Sequence, residues 1–448
     1  MQISPKLLFI SLFFSFCSYQ AELVAQTKPE KPLNIILMIG DGMGPAHIKA
    51  YRKFMDDPNT AKEEKTLFDQ YLVGSLSTDP ADPKENITDS SAAATAYSTG
   101  QKIANEVVAL DVNGNPIETV LEKAKKQGLS TGLVVTSHII HATPASFAAH
   151  NISRRNYNEI ADQYFDNQHQ GKPMVDIMLG GGTKYFKRED RNLVSEFVKQ
   201  GYSYVETKQQ LLNSESDKML GLFGEVALAK MLDREKFTPS LADMTKVALK
   251  QLSKNNKGFF LMVEGSQIDW ASHSNDIVGV MSEMQDFELA FKQVIDFAKQ
   301  KGNTLVILTA DHETGGLSVG SSASGKGRYY WNYDALNKIY YTPEKIARDA
   351  KVSKDLIEEF NKGTSIKLTA AESKSLKSVD FTDWYKSYKA VAKIINQRSF
   401  TGWTSEGHTG VDVNLYAFGP GSESLRGHWD NTKVGRVIFE WLERKSRK

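Results

Sequence analysis

The chain has one cysteine among its 448 residues, Cys17, so no internal disulfide can staple it. It has almost no excess of charge either. The 55 Lys plus Arg stand against 54 Asp plus Glu, and a net charge of +1 argues against wholesale binding to nucleic acid or acidic membranes. There is a single long apolar run, "LLFISLFFSF" from Leu7 to Phe16, and it is too short to span a bilayer. No internal repeat and no long low-complexity tract appears. Nor are the glycine-rich stretches nucleotide loops. "GDGMG" has GxGxG spacing followed by Pro45 rather than GxGxxG opening a helix, and "LGGGTK" from Leu179 lacks P-loop spacing.

What is present begins with a leader. Lys6, the apolar run and then small and polar residues up to Ala25 read as a secretory signal over residues 1–25, with "LVA" before Gln26 as the processing site. The mature protein is then expected to be periplasmic or secreted, without a transmembrane anchor. A lipoprotein cysteine at Cys17 is the rival reading, and Phe16 before it fits poorly. With no disulfide in an oxidising compartment, something else must staple the fold.

Short apolar runs recur, each leading into a polar, glycine-rich turn and a helical stretch: "NIILMIGDGMG" from Asn34, "TGLVVTSHIIHATP" from Thr131, "FFLMVEGSQIDWASH" from Phe259, "TLVILTADHETGG" from Thr304 and "NLYAFGPGS" from Asn414. They read as buried parallel strands of an α/β fold, a doubly wound, mostly parallel sheet flanked by helices. Ligands in such sheets bind beyond the carboxyl ends of the strands. From Leu317 to Ser405 the rhythm breaks into lysine-rich helical patterns, with 15 Lys plus Arg against 9 Asp plus Glu. This segment, 317–405, reads as a cap inserted into one catalytic domain spanning 26–448.

Metal-ligand chemistry follows the apolar runs. Asp41 lies in "GDGMG"; Glu264, Asp269 and His273 follow "FFLMV"; Asp311 and His312 follow "TLVILTA"; His408 stands in "EGHTG". Each alone is more often a turn or structural residue. Together they put many ligand-type side chains at one sheet edge. Asp269 and His273 are four apart, so on a helix they share one face and can grip one ion. Carboxylates with imidazoles suit zinc, and oxygen ligands suit magnesium. In "TDSSAAATAYSTG" a helix is expected, with Asp or Ser as its N-cap and Gly100 as its stop. A serine at such an N-terminus meets the positive end of the helix dipole. Beside zinc its hydroxyl becomes a nucleophile.

These motifs resemble alkaline phosphatase: "MIGDGMG", "TDSSAAATAYSTG", "HATPASFAAHNISR", "VEGSQIDWASH", "TADHETGG" and "GHTG" appear in that family's order. The resemblance implies a phosphomonoesterase acting on small phosphate monoesters through a phosphoserine, with two zinc ions and one magnesium ion. It makes Ser90 the nucleophile, Ser91 a neighbour and Arg154 the guanidinium that clamps the phosphate. The first zinc takes Asp269, His273 and His408; the second takes Asp41, Asp311, His312 and Ser90; magnesium takes Asp41, Thr143 and Glu264. His141, beside the magnesium set, and Trp270, against the substrate, stand where the best-known bacterial pattern has Asp and Lys. Homodimers are common in the family, which leaves that state open. The alternatives are a phosphodiesterase or nucleotide pyrophosphatase of the same superfamily, which the phosphate fork of Arg154 disfavours, and a non-catalytic metal or phosphate binder. A sulfatase would need a C/S-x-P-x-R motif that the chain does not contain.

Overall fold

The computed structural model of the chain describes residues 34–446 apart from 58, 83, 326 and 327, so the expected leader and Cys17 lie outside the described residues. Ten strands form one sheet, in the order Gly427–Asp430, Leu72–Ser77, Val413–Phe418, Thr304–Thr309, Asn34–Gly40, Phe259–Gly265, Ser130–His138, Ile177–Gly181, Met219–Leu222, Ser203–Val205. At its centre, Asn34–Gly40, Phe259–Gly265 and Thr304–Thr309 are buried at every position. Strands sandwiched between helical layers must be apolar on both faces, which is why they read as unbroken runs. Their parallel register sets Ile39 opposite both Glu264 and Thr309, so their carboxyl ends come level. The residues just past those ends therefore meet.

Every neighbouring pair of strands is parallel except the two made by Val413–Phe418, which runs antiparallel to Thr304–Thr309 and to Leu72–Ser77. The expectation of a parallel strand at "NLYAFGPGS" is thereby corrected. The reason is where the chain comes from: it leaves Thr309 at the carboxyl edge, passes His408 at that same edge, and must re-enter the sheet downward. The edge strand Gly427–Asp430 is exposed, its neighbour Leu72–Ser77 is mostly half-buried, and Ile177–Gly181 and Met219–Leu222 are short and contain glycine. None of these four stands out as an apolar run.

Among the described residues, 317–405 carry four α-helices, Pro343–Ser353, Leu356–Gly363, Ala370–Lys377 and Trp384–Ser399. The two ends of the segment lie side by side, Ser318–Val319 pairing antiparallel with Thr401–Gly402. No helix among the described residues is long and apolar enough to cross a membrane.

Candidate metal centre and nucleophile

The alanine-rich stretch forms the helix Ser90–Thr99, as its sequence leads one to expect. The Asp89 side chain caps it by accepting from the Ala92 N–H at 2.9 Å, and Gly100 ends it in the left-handed conformation at φ +69°. All ten residues of the helix are buried. At its N-terminus the two serines are treated differently. Ser91 Oγ donates to the Asp89 carboxylate, 2.9 and 2.8 Å from its two oxygens. Ser90 Oγ turns instead to His312 Nε2 at 3.3 Å. Asp89 also accepts from Arg154 Nη1 at 2.9 Å, and Arg154 Nη2 reaches His141 Nε2 at 3.3 Å. The guanidinium is thus fixed beside Ser90 in the same hollow.

Three imidazoles arrive in one orientation. His273 Nδ1 is bonded to the Glu406 carbonyl at 2.5 Å, His408 Nδ1 to the Thr88 carbonyl at 2.8 Å and His312 Nδ1 to Thr314 Oγ1 at 3.1 Å. With Nδ1–H donating in each, Nε2 is the nitrogen turned toward the site. Those nitrogens face carboxylates. His273 Nε2 lies 3.3 Å and His408 Nε2 3.8 Å from Asp269, whereas His312 Nε2 lies 3.2 Å from Asp311 and 3.6 Å from Asp41. The rings of His312 and His408 stack with centroids 3.5 Å apart. Gly42 makes this approach feasible: its φ of +70° favours glycine, and a Cβ there would sit 2.9 Å from the Asp269 backbone.

Ligand atoms gather in three groups, each within 4.8 Å: Asp269 with His273 and His408; Asp41 with Asp269 and His312; Asp41 with His141 and Glu264. Both oxygens of Asp41, Oδ2 of Asp311, Oε1 of Glu264, Thr143 Oγ1 and His141 Nδ1 are buried without a hydrogen-bond partner. Buried polar atoms are ordinarily paired, so a set of orphaned oxygens close to imidazole nitrogens is a donor set that could hold cations.

The electrostatics say the same. Burial, and then the neighbouring Asp311, Asp269 and Glu264, push the Asp41 carboxyl well above its usual range. Burial pushes Glu264 up to about 7 and His408 down to about 4. Burial, with Arg154 close by, also holds His141 well below its usual value and so neutral. At Asp269, burial is outweighed by the attraction of His273 and its partners, and the carboxylate stays ionised. Several like charges compete for too little protein countercharge.

The structure brings together all the residues singled out from the sequence: Asp41, Ser90, His141, Thr143, Arg154, Glu264, Asp269, Trp270, His273, Asp311, His312 and His408. Trp270 borders the hollow and meets the His141 ring edge-on at 5.6 Å. Two details differ in emphasis. Asp269 faces both zinc-type groups, and His141 offers a ring nitrogen to the group of Asp41 and Glu264. Three supporting residues were not foreseen. Thr314 Oγ1 donates to Asp269 at 2.5 Å while accepting from His312, Ser266 Oγ donates to Glu264 at 2.7 Å, and Asp89 holds Arg154. Thr314 stands two residues after His312 in "DHET", a position that sequence spacing alone does not mark.

Comparison with known proteins points to one family. A family model described as alkaline phosphatase matches residues 32–444. Alkaline phosphatase 3 of Bacillus subtilis (strain 168) is 50% identical over 418 residues, 92% of this chain and 89% of that protein. The cold-active alkaline phosphatase of a psychrophilic Shewanella sp. superposes with a TM-score of 0.84 at 41% identity, over 91% of this chain and 99% of that one. That of TAB5, in a histidine-to-aspartate variant with Mg bound in its M3 site, gives a TM-score of 0.68 at 27% identity, over 93% and 99%.

Proposed function

The chain belongs to the alkaline phosphatase family and is a phosphoric monoester hydrolase; from that premise we propose that it cleaves small phosphate monoesters through a phosphoserine at Ser90. The observation that carries this reading is the asymmetry of the serine pair. Asp89 engages Ser91 Oγ, whereas Ser90 Oγ faces His312 across the site. Two zinc ions and one magnesium ion complete the site in this reading. Asp269, His273 and His408 hold the first zinc, and Asp41, Asp311, His312 and Ser90 the second. Asp41, Thr143 and Glu264 hold the magnesium with His141 beside them. The orphaned oxygens support three cations, and the oxygen donors Asp41, Thr143 and Glu264 support magnesium for the third. When bound, the ions supply the positive charge that lowers the Ser90 hydroxyl pKa and offsets charge on the departing alkoxide.

Ser90 Oγ attacks phosphorus as the P–O bond to the alcohol breaks, and the alcohol leaves opposite it. Arg154 presents its fork to the non-bridging oxygens, where charge spreads in the transition state. Asp89 fixes that fork and helps Arg154 keep its charge despite burial. Water then attacks the phosphoserine; the Ser90 Oγ–P bond breaks, Ser90 regains a proton and phosphate departs. Residues 1–25 act in this reading as a cleaved leader that delivers the protein to the periplasm or the medium. Segment 317–405 is an insertion within a single catalytic domain.

The test is metal analysis together with hydrolysis of an aryl phosphate monoester and the matching diester. Zinc and magnesium in about a two-to-one ratio and a strong monoester preference are expected. Ser90→Ala should lose at least about a thousandfold in turnover while retaining its metals, and Ser91→Ala should keep most activity. A phosphoserine trapped at Ser91, or preference for the diester, overturns the assignment.

A further inference from the structure

Trp270 borders two hollows. One, of about 370 Å³, is the phosphate site with Ser90, Arg154 and His408. The other, of about 720 Å³, lies where residues 225–230 face the helices Pro343–Ser353 and Trp384–Ser399. The first is about half the volume of the second and holds the nucleophile and the guanidinium. The second has the size of a small-molecule site, for which roughly 300–1,000 Å³ is usual.

The charged groups lining the larger cavity are mostly engaged with one another. Buried Lys230 pairs with Glu344, Arg348 Nη2 donates to Glu344 at 2.7 Å, Lys345 pairs with Asp349 at 2.7 Å, and Asp233 accepts from the Thr342 N–H at 2.9 Å. All three cations of the lining are therefore paired with carboxylates, and none is left to receive a second phosphate. Beyond these pairs the lining offers the aromatic Trp270 and Trp384, with Gln267, Ser274 and Glu225 as further polar groups. Trp384 is itself held in place, stacked on Tyr388 at 6.2 Å and covered by the Arg348 guanidinium 4.0 Å from its ring. An aromatic side chain fixed in this way can still meet a flat ring at its edge.

We infer that this cavity is the subsite for the alcohol half of the substrate, and that it selects an uncharged aromatic alcohol, such as a nucleoside, over a short alkyl one. The inference rests on the reading of Ser90 and Arg154 as the phosphate site. A monoester seated there extends past Trp270, the shared wall, into the cavity. Trp270 then contacts the alcohol, and Trp384 determines its preference.

The experiment compares adenosine 5′-monophosphate with ethyl phosphate in the metal-loaded enzyme and two variants. Ala229→Trp adds bulk to the cavity lining from an exposed position, and Trp384→Ala removes its aromatic edge. In each variant, kcat/KM for the nucleotide should fall about tenfold, equivalent to about 1.4 kcal/mol. Ethyl phosphate should change less than about twofold, and the inhibition constant of inorganic phosphate should not move. Equal losses on both substrates, or no loss on the nucleotide in a variant that melts like the parent, overturn the inference. Hydrolysis of ethyl phosphate by the parent enzyme, inhibited by phosphate, keeps that failure distinct from failure of the phosphate-site reading.

Discussion

At the carboxyl ends of the strands, Asp41, Glu264, Asp269 and Asp311 are almost fully buried, and several of their oxygens have no protein partner. Asp276, Glu283 and Asp286, along the long helix Ile277–Lys301 and its cap, are buried as deeply, yet each is provided for. Asp276 accepts from the N–H groups of Val278 and Gly279 and from the Tyr388 hydroxyl. Asp286 takes Arg234 Nη1 at 2.5 Å together with the Leu241 N–H, and Glu283 takes the Met231 N–H at 2.6 Å and Arg234 Nη2 at 3.4 Å. Burying a carboxylate is costly unless a cation and hydrogen bonds compensate it. The second cluster finds that compensation in Arg234 and the backbone. The first is built to find it in ions, which is the physical difference between a structural charge network and a metal centre.

Chelation should expose that difference most strongly. Each ion at a hundredfold above its dissociation constant stabilises the fold by about 2.7 kcal/mol, so complete removal should lower Tm well beyond the effect of any single surface change. An unchanged Tm after metal analysis confirms removal would refute the account of the strand-end cluster. The other cluster should break differently. Arg234→Met leaves Glu283 and Asp286 buried without their cation, which costs about 3–5 kcal/mol. Metal content and kcat at low temperature should stay as in the parent, as denaturant unfolding and metal analysis can show. Loss of zinc in this variant would mean that the two clusters are not independent.

A smaller effect concerns pH. Burial pushes Glu283 up to about 7 from an ordinary 4.5, despite the attraction of Arg234. Below pH about 4.5 the group is protonated in both folded and unfolded chains, and its contribution to stability is fully present. As pH rises toward 7 the unfolded chain releases the proton first, so that contribution is lost. Relative to Glu283→Gln, the metal-saturated parent should therefore lose up to about 3 kcal/mol between these limits. A stability difference that is flat with pH would contradict this.

The two clusters also differ in how far they could be read from the sequence. Ligands such as Asp311 and His312 directly follow buried apolar runs, so the sheet's own register delivers them to one edge. That is a local signal, and it is enough to bring Asp41, Glu264, Asp269, Asp311 and His312 to one edge, whereas Thr143 and Arg154 rest on the family resemblance. Arg234 and Asp286 are 52 residues apart, and Lys230 and Glu344 are 114 apart. Nothing in the spacing of either pair marks it, because each partnership arises only when segments distant in sequence pack together: Arg234 on the helix Ile277–Lys301, and Lys230 on the helix Pro343–Ser353. Thr314 and Ser266 escaped notice for a related reason: a hydroxyl near a ligand is common, and only geometry shows which one bonds. The reversed direction of Val413–Phe418 depended on the path taken by residues 317–405, which no property of the strand itself records.

Trp270 stands between the two regions, and exchanging it sharpens the contrast with the least change. The indole offers one N–H donor and no formal charge, and it meets His141, which in turn bonds Arg154. Lysine at this position adds a cationic contact near the bound phosphate, worth about 1 kcal/mol for a partly solvated charged hydrogen bond. Trp270→Lys should then tighten phosphate inhibition about fivefold and slow product release, with zinc content unchanged. Where release limits turnover, kcat should fall and a pre-steady-state burst should grow. The same exchange removes the aromatic wall shared with the larger cavity, so the preference for a nucleotide over ethyl phosphate should shrink as phosphate binding strengthens. Weaker phosphate inhibition in the lysine variant at full zinc occupancy would show that Trp270 does not loosen the product, and that its place in the site is only to shape the alcohol's path.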